Sequence, residues 1–371
     1  MSQAASHPDR GPAIPPGSPT AARRAKTGLG DLALGIMARF GAASIIFMLT
    51  ALLFVLFTAA LPSVRQFGAN FFISTQWRVN TLEKPAIGPD GRVLKEDGET
   101  VMTTIPPAFG ALPTIYGTAV TSFIALVVAV PLSFGAAIFI VRVAPRWKIA
   151  GPISFLIELL AAIPSIAYGL WGLYVLAPFL RDWVAPTLQK VLGDIPAFRW
   201  MFFETITIAG RLQERPIAFT GRDMLCGGLI LAIMILPIIT AVARDVLRAV
   251  PRAQIEGSLA LGATWWQSCW GMLRYARAGL FGAVVLGLAR AAGETMAITM
   301  VIGNNNQIAA SPFAPAQTMA SLLASEFREA AGLHRAALLE VALVLLIMSL
   351  IFNVVARWLF VGGQSRSAAA H

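Results

Sequence analysis

The stretch Val250-Pro251-Arg252-Ala253-Gln254-Ile255-Glu256-Gly257-Ser258-Leu259-Ala260-Leu261-Gly262-Ala263-Thr264-Trp265-Trp266 joins two long apolar runs. Its acidic residue is followed by small ones, and Gly262 comes six positions after Glu256. That spacing predicts a short amphipathic helix, a turn closed by Gly262, and a second helix. The flanking runs are too apolar for a soluble protein, so this polar helix–turn–helix belongs at a membrane face.

Composition makes the same point for the whole chain. Of 371 residues, 57% are hydrophobic and 13% charged, and mean hydropathy is +0.70; a soluble domain carries about 25% charged residues. Six segments reach the roughly 20 apolar residues of a spanning helix: 40–61, 115–141 (with Pro131 as a kink), 149–180 (broken by Pro164), 224–242, 279–303 and 336–359. Gly117, Gly135, Gly287 and Gly293 offer close helix approach, which predicts a packed bundle.

The net charge of +10 excludes no membrane reading, because Lys and Arg collect in cytoplasmic loops. With the N-terminus inside, the inner segments hold 15 basic residues against 4 acidic ones, and the outer loops 13 against 12. Both termini are therefore expected in the cytoplasm. The expected organisation is a disordered basic tail (1–28), a first span (29–62), an external loop (63–113), a core of five further spans (114–360) and a tail (361–371). Within the core, 181–223 and 304–335 are expected outside and 243–278 inside. Pro89-Asp90-Gly91 and Asp97-Gly98 predict a small β-hairpin in the first loop. The stretch 316–331 suggests a short amphipathic helix, and the outer loops together suggest a platform for a soluble partner. Cys226 and Cys269 fall on opposite sides and predict no bridge; His7, His334 and His371 are scattered and suggest no metal site.

Glu256-Gly257-Ser258-x-x-x-Gly262, with Ala263, resembles the EAA loop of binding-protein-dependent ABC importer permeases. The resemblance implies an all-α, six-span bundle of the type I importer kind, whose cytoplasmic coupling helix docks on an ATPase subunit. Here Gly257 and Ser258 replace two alanines, and Leu273-Arg274-Tyr275 stands where a closing Leu-Pro is usual.

The similarity extends to phosphate-specific permeases of the C type. Gly110-Ala111-Leu112-Pro113-Thr114-Ile115-Tyr116-Gly117-Thr118 resembles the entry to their second span. Glu158-Leu159-Leu160-Ala161-Ala162-Ile163-Pro164-Ser165-Ile166 and Leu286-Gly287-Leu288-Ala289-Arg290-Ala291-Ala292-Gly293-Glu294-Thr295-Met296-Ala297 match as well. In that family this Arg and Glu are associated with phosphate passage.

The residues give an independent reason. Arg290 lies near the middle of an apolar run, where a charge costs about 2.5–3.5 kcal/mol on insertion scales. Glu294, one helical turn later, would share its face and either pair with it or orient it. Arg suits an oxyanion because its planar fork donates two parallel hydrogen bonds. Thr295, Thr299 and Asn304 would add neutral donors. Glu158, another charge inside the apolar runs, would pair with a cation of this bundle or of a partner subunit, or face a water-filled cavity, so a helix-positioning role and a transport role both stay open; Glu340 is expected to reach water near an outer end.

No Gly-x-x-x-x-Gly-Lys-Ser/Thr loop occurs in the sequence, so ATP hydrolysis is expected in a partner. The resemblance implies two copies of an ATPase, a second related permease and an external phosphate-binding protein, all working by alternating access in a bacterial inner membrane. No cofactor, metal or nucleic acid is expected. The same architecture would serve another oxyanion (sulfate, molybdate, phosphonate) or an amino acid, and a secondary transporter or channel is the reading from another class.

Overall fold

Apolar runs in a bilayer must satisfy their own backbone groups, and helices do so within one segment. The structure, a computed structural model, describes residues 29–85, 95–96, 99–100, 102–208 and 211–368. Among these, four helices are long and apolar enough to cross a membrane, and two bent pairs bring the count to six if each pair is one crossing. The chain is an all-helical integral membrane protein with only minor sheets.

Helix α1 (Leu29–Phe67) opens the described chain, and its part up to Phe54 forms a unit of its own whose apolar side chains, such as Phe40 and Phe47, are exposed. The second unit begins at Val55. After the short α2 (Asn70–Ile73), strands β1 (Leu82–Pro85) and β4 (Met102–Ile105) pair antiparallel around β2 (Lys95–Glu96) and β3 (Glu99–Thr100), which pair with each other. The turn residues Pro89-Asp90-Gly91 and Asp97-Gly98 lie outside the described residues, as does the tail 1–28.

Helix α3 (Leu112–Ile138) is followed by α4 (Ala150–Ala161). The chain then breaks at Pro164, which cannot continue a helical hydrogen-bond ladder. Beyond it α5 (Ser165–Trp171), α6 (Ala177–Phe179) and α7 (Ala185–Leu192), joined by π-helical turns, form one helix bent 87° from α4. Pro164 breaks this run as expected, but the helix continues to Leu192, well into the stretch read as a loop.

A second hairpin follows. Strands β5 (Phe203–Ile208) and β6 (Arg211–Pro216) pair antiparallel, and Arg215 and Arg199 bridge Glu204 and Glu214 at 2.7 and 2.6 Å.

The rest is α8 (Met224–Arg248), α9 (Arg252–Ala260), α10 (Trp265–Tyr275), α11 (Arg277–Ala292), α12 (Met296–Val301), α13 (Met319–Glu326) and α14 (Gly332–Ala368). A core of alanines and branched aliphatic residues joins α3, α8, α11 and α12: Ala125, Ala129, Leu231, Ile235, Ile239, Ala283 and Ile298 are buried together. Gly287 lies so close to α8 that a Cβ there would sit 2.6 Å from Cδ1 of Ile239, and one at Gly117 would meet the Gln317 carbonyl. Gly135 has open space around it and Gly293 faces only its own helix, so two of the four glycines expected at contacts are there.

Two further expectations are corrected. Residues 316–331 hold a short helix, but not over their whole length. Only 319–326 are helical, capped by Thr318 and Ser321, and Met319 and Leu322 are buried against Phe71, Phe109 and Leu338. Glu340 does not reach water: it is 3% exposed, and its Oε2 has no hydrogen-bond partner.

Candidate functional site

The fifth apolar run is not a straight helix. α10 and α11 meet at a 69° bend, and α11 ends at Ala292, leaving Gly293-Glu294-Thr295 as a break before α12. Gly293 is the C-cap, where glycine's lack of a side chain costs nothing. Arg290 and Glu294 therefore do not lie on successive turns of one helix, and no ion pair joins them. Glu294 turns instead to the start of α12, where Oε1 accepts the N–H of Ala297 at 3.4 Å.

This break leaves Arg290 alone. It sits in the last turn of α11, exposed on the surface of the single chain, and no carboxylate among the described residues lies within ion-pair distance of it. A cation near a helix C-terminus is favoured by the helix dipole. Among the described residues the Arg290 guanidinium makes no hydrogen bond either, and the helix it ends is otherwise apolar beyond its first turn.

The neutral residues of the same run are engaged locally. Thr299 Oγ1 donates to the Thr295 carbonyl at 2.6 Å, and Asn304 Nδ2 donates to the Thr299 carbonyl at 2.9 Å. Asn304 adopts a left-handed backbone with φ 50 and turns the chain out of α12. So Arg290, Glu294 and Thr295 gather at the break, whereas Thr299 and Asn304 finish the helix beyond it.

α12 is held in place by close contact. A Cβ at Gly169 on α5 would lie 2.9 Å from the Ala297 Cα, and Val301 packs with Ile230 of α8 and with α5's continuation.

Glu158 finds its cation within the chain. Arg244 Nη1 is 3.1 Å from Glu158 Oε1, and its Nε is 2.9 Å from Asp245 Oδ1. Arg244 is buried while both acids are exposed. The sequence offered no signal for this partner, because 86 residues separate it from Glu158.

The stretch 250–266 folds into the helix, Gly262 turn and second helix that its spacing predicts, but the first helix has no buried apolar face in this chain. α9 carries Glu256, Gly257 and Ser258 and buries no residue. Gly262 follows with φ +86, a conformation that penalises any side chain, and Thr264 with Gln267 forms a capping box that starts α10. Ser258 Oγ donates to the Ile255 carbonyl and lies 3.1 Å from Ser268 Oγ, tying α9 to α10. Ala263 is half-buried at this elbow. α10 in turn buries Cys269 and Met272 against Ala137, Ala243 and Leu247 of the membrane helices. Both cysteine thiols are free and buried. On the outer face Leu259, Leu261, Trp266 and Trp270 are exposed.

Residues 129–361, which hold this elbow and the broken helices it packs on, match a known family model, that of the binding-protein-dependent transport system inner membrane component. The chain belongs to that family. The matched residues contain this permease's break at 293–295, its elbow and its Arg244 pair.

Curated relatives refine the placement. The permease is 42% identical over 256 residues to a phosphate transport system permease protein PstC of Pasteurella multocida, covering 69% of this chain and 76% of the relative. It is 38% identical to the PstC of Haemophilus influenzae over 84% of this chain and 86% of that one. With the PstC of Mesorhizobium japonicum it shares 42% over 70% and 76%. Among solved structures, the inward-facing MetNI methionine ABC transporter aligns with 68% of this chain and 94% of that chain, at 17% identity and a TM-score of 0.47. That match is too loose to carry residue positions across.

Proposed function

We propose that this permease is one of two related membrane subunits of an ATP-driven importer of inorganic phosphate. The observation that carries the reading is Arg290: a guanidinium with no ion-pair partner among the described residues, beside a helix break and exposed on the flank of the isolated chain, in a protein similar to PstC permeases. A residue lining a pathway shared between two subunits has to be bare in either subunit alone. Its fork would grip two phosphate oxygens, and the broken backbone at 293–295 supplies the polar groups that a continuous helix keeps to itself.

The elbow 252–275 supports coupling to an ATPase. α9 buries nothing within the chain, Gly257 has open space where a Cβ would stand, and the exposed tryptophans beside it are suited to an interface. A displacement of α9 would pass through Ser258 and Ser268 to α10, and from Met272 to α3 and α8. In the mechanism we propose, ATP closes a pair of ATPase subunits, α9 moves, and the helices around Arg290 open outward. An external binding protein then delivers phosphate, and hydrolysis returns the bundle to its inward form. Both termini and the elbow face the cytoplasm in this scheme, in line with the basic excess of those segments.

The test is uptake in cells lacking their own phosphate permease, supplied with this chain and its partners. Phosphate uptake that requires the ATPase is expected. Uptake of sulfate or molybdate instead would move the cargo, and uptake without the ATPase would point to a secondary transporter.

A further inference from the structure

Two loops far apart in sequence meet in a polar cleft of about 370 Å³, lined by residues 75–78 on one side and by Asn305, Asn306 and Gln307 on the other. In the orientation proposed above, both loops are external. Neither wall is slack. The backbone of Arg78 pairs with Ala108 in both directions, at 2.7 and 3.1 Å. The Trp77 indole donates to Glu326 Oε2 at 2.8 Å, the same oxygen that His334 Nε2 approaches at 2.9 Å, and its ring packs edge-on against Phe109. Opposite, Gly303 and Asn304 both take positive φ to turn the chain out of α12, and Asn305 N–H bonds the Ala316 carbonyl at 3.1 Å.

The chemistry of the lining is one-sided. It offers a hydroxyl, four carboxamides and one guanidinium, and no carboxylate. Glu326 lies behind Trp77 and is occupied there. Arg78 gives Nη2 to the Pro106 carbonyl at 3.1 Å, but its Nε is shielded from solvent and has no acceptor among the described residues. No acid among the described residues lies within ion-pair distance of it. Asn306 Oδ1 is likewise shielded and has no donor among the described residues, and a half turn of its amide would put N–H groups there instead. A fixed, uncompensated guanidinium ringed by neutral amides is complementary to an oxyanion and hostile to nothing but cations.

We infer that this cleft is a second oxyanion site, in which phosphate rests on Arg78 and the surrounding amides before it reaches Arg290. The inference builds on the phosphate reading above. The chain itself links the two sites: from Asn305 the path runs through Asn304 and α12 to the break at Glu294. Arg78 also lies outside the residues that the family model matches.

The experiment uses the complete importer in proteoliposomes, with radiolabelled inorganic phosphate carried by the binding protein, reading initial uptake and ATP hydrolysed per phosphate moved. Arg78→Gln removes the cation, and Asn306→Asp adds a carboxylate of nearly the same shape. Each is expected to lower uptake about tenfold at limiting phosphate, the size of one lost charged hydrogen bond. ATP hydrolysis stimulated by the binding protein persists, so the ATP used per phosphate rises, and Arg78→Lys keeps most of the uptake. Wild-type uptake and stoichiometry in Arg78→Gln and Asn306→Asp would overturn the inference. So would a parallel loss of uptake and ATP hydrolysis in all three variants, which marks a purely structural role. If the assembled wild type moves no phosphate at all, the functional reading fails and the cleft's role fails with it; normal wild-type transport with indifferent variants sinks the cleft alone.

Discussion

Arg244 on α8 reaches Glu158 on α4 with Nη1 3.1 Å from Oε1, while its Nε holds Asp245 at 2.9 Å. The guanidinium is 10% exposed and the Glu158 side chain 58%, and Arg244 divides its donors between two acids. Side chains in direct contact couple by about 0.5–3 kcal/mol, and a coupling in that range is expected here. A double-mutant cycle of Glu158→Gln and Arg244→Met, read by thermal unfolding of the purified complex, measures it. Strictly additive single effects would show that the pair merely neighbours one another.

Gly262 combines a φ of +86 with open space where a side chain would go. Gly262→Val should therefore act through backbone strain and not through a clash, costing about 1 kcal/mol or more. The elbow would reorient, and phosphate-dependent ATP hydrolysis should fall while insertion of the chain in the membrane stays normal.

Gly257 tests the docking surface without disturbing the fold, since nothing in the chain lies within 4 Å of its Cβ position. Gly257→Trp should leave the chain's thermal stability unchanged and abolish co-purification of the ATPase. Normal co-purification would place the interface elsewhere.

Asp223 caps α8, accepting the N–H of Cys226 at 2.8 Å. Burial pushes its carboxyl up from 3.8 to about 6, against the pull of the backbone N–H groups of Cys226 and Leu225. The folded chain thus holds this proton more tightly than the unfolded one. The contribution is full below about pH 4 and is lost as pH rises through 6, by roughly 3 kcal/mol at most. Asp223→Asn keeps the cap acceptor and drops the charge, so it should gain stability over wild type at pH 7.5 and match it at pH 4. Equal melting temperatures at both pH values would refute this.

How much of this was legible beforehand follows from the range over which each signal acts. The elbow was, because Glu256 and Gly262 are local instructions: a small-residue helix and a turn-closing glycine. The break at Pro164 was legible for the same reason. The break at 293–295 was not. Arg290 and Glu294 stand at helical spacing, and only the packing of α12 against Gly169 and Ile230 shows that the ladder stops between them. The β5–β6 hairpin was hidden because its alternation of Phe203, Thr205 and Thr207 with Glu204, Ile206 and Ile208 is weak in contrast. Glu158's partner and the Arg78 cleft are tertiary facts that no local pattern announces.

The central claim rests on Arg290, and the most direct measurement is phosphate uptake at low external phosphate in cells lacking their own permease. Wild type, Arg290→Gln and Arg290→Lys are compared at matched membrane expression, with co-purification of the ATPase as the control for assembly. Uptake lost in Arg290→Gln, partly kept in Arg290→Lys, and an ATPase that still co-purifies is the predicted result. Wild-type uptake in Arg290→Gln would contradict the account and return Arg290 to a role in helix packing.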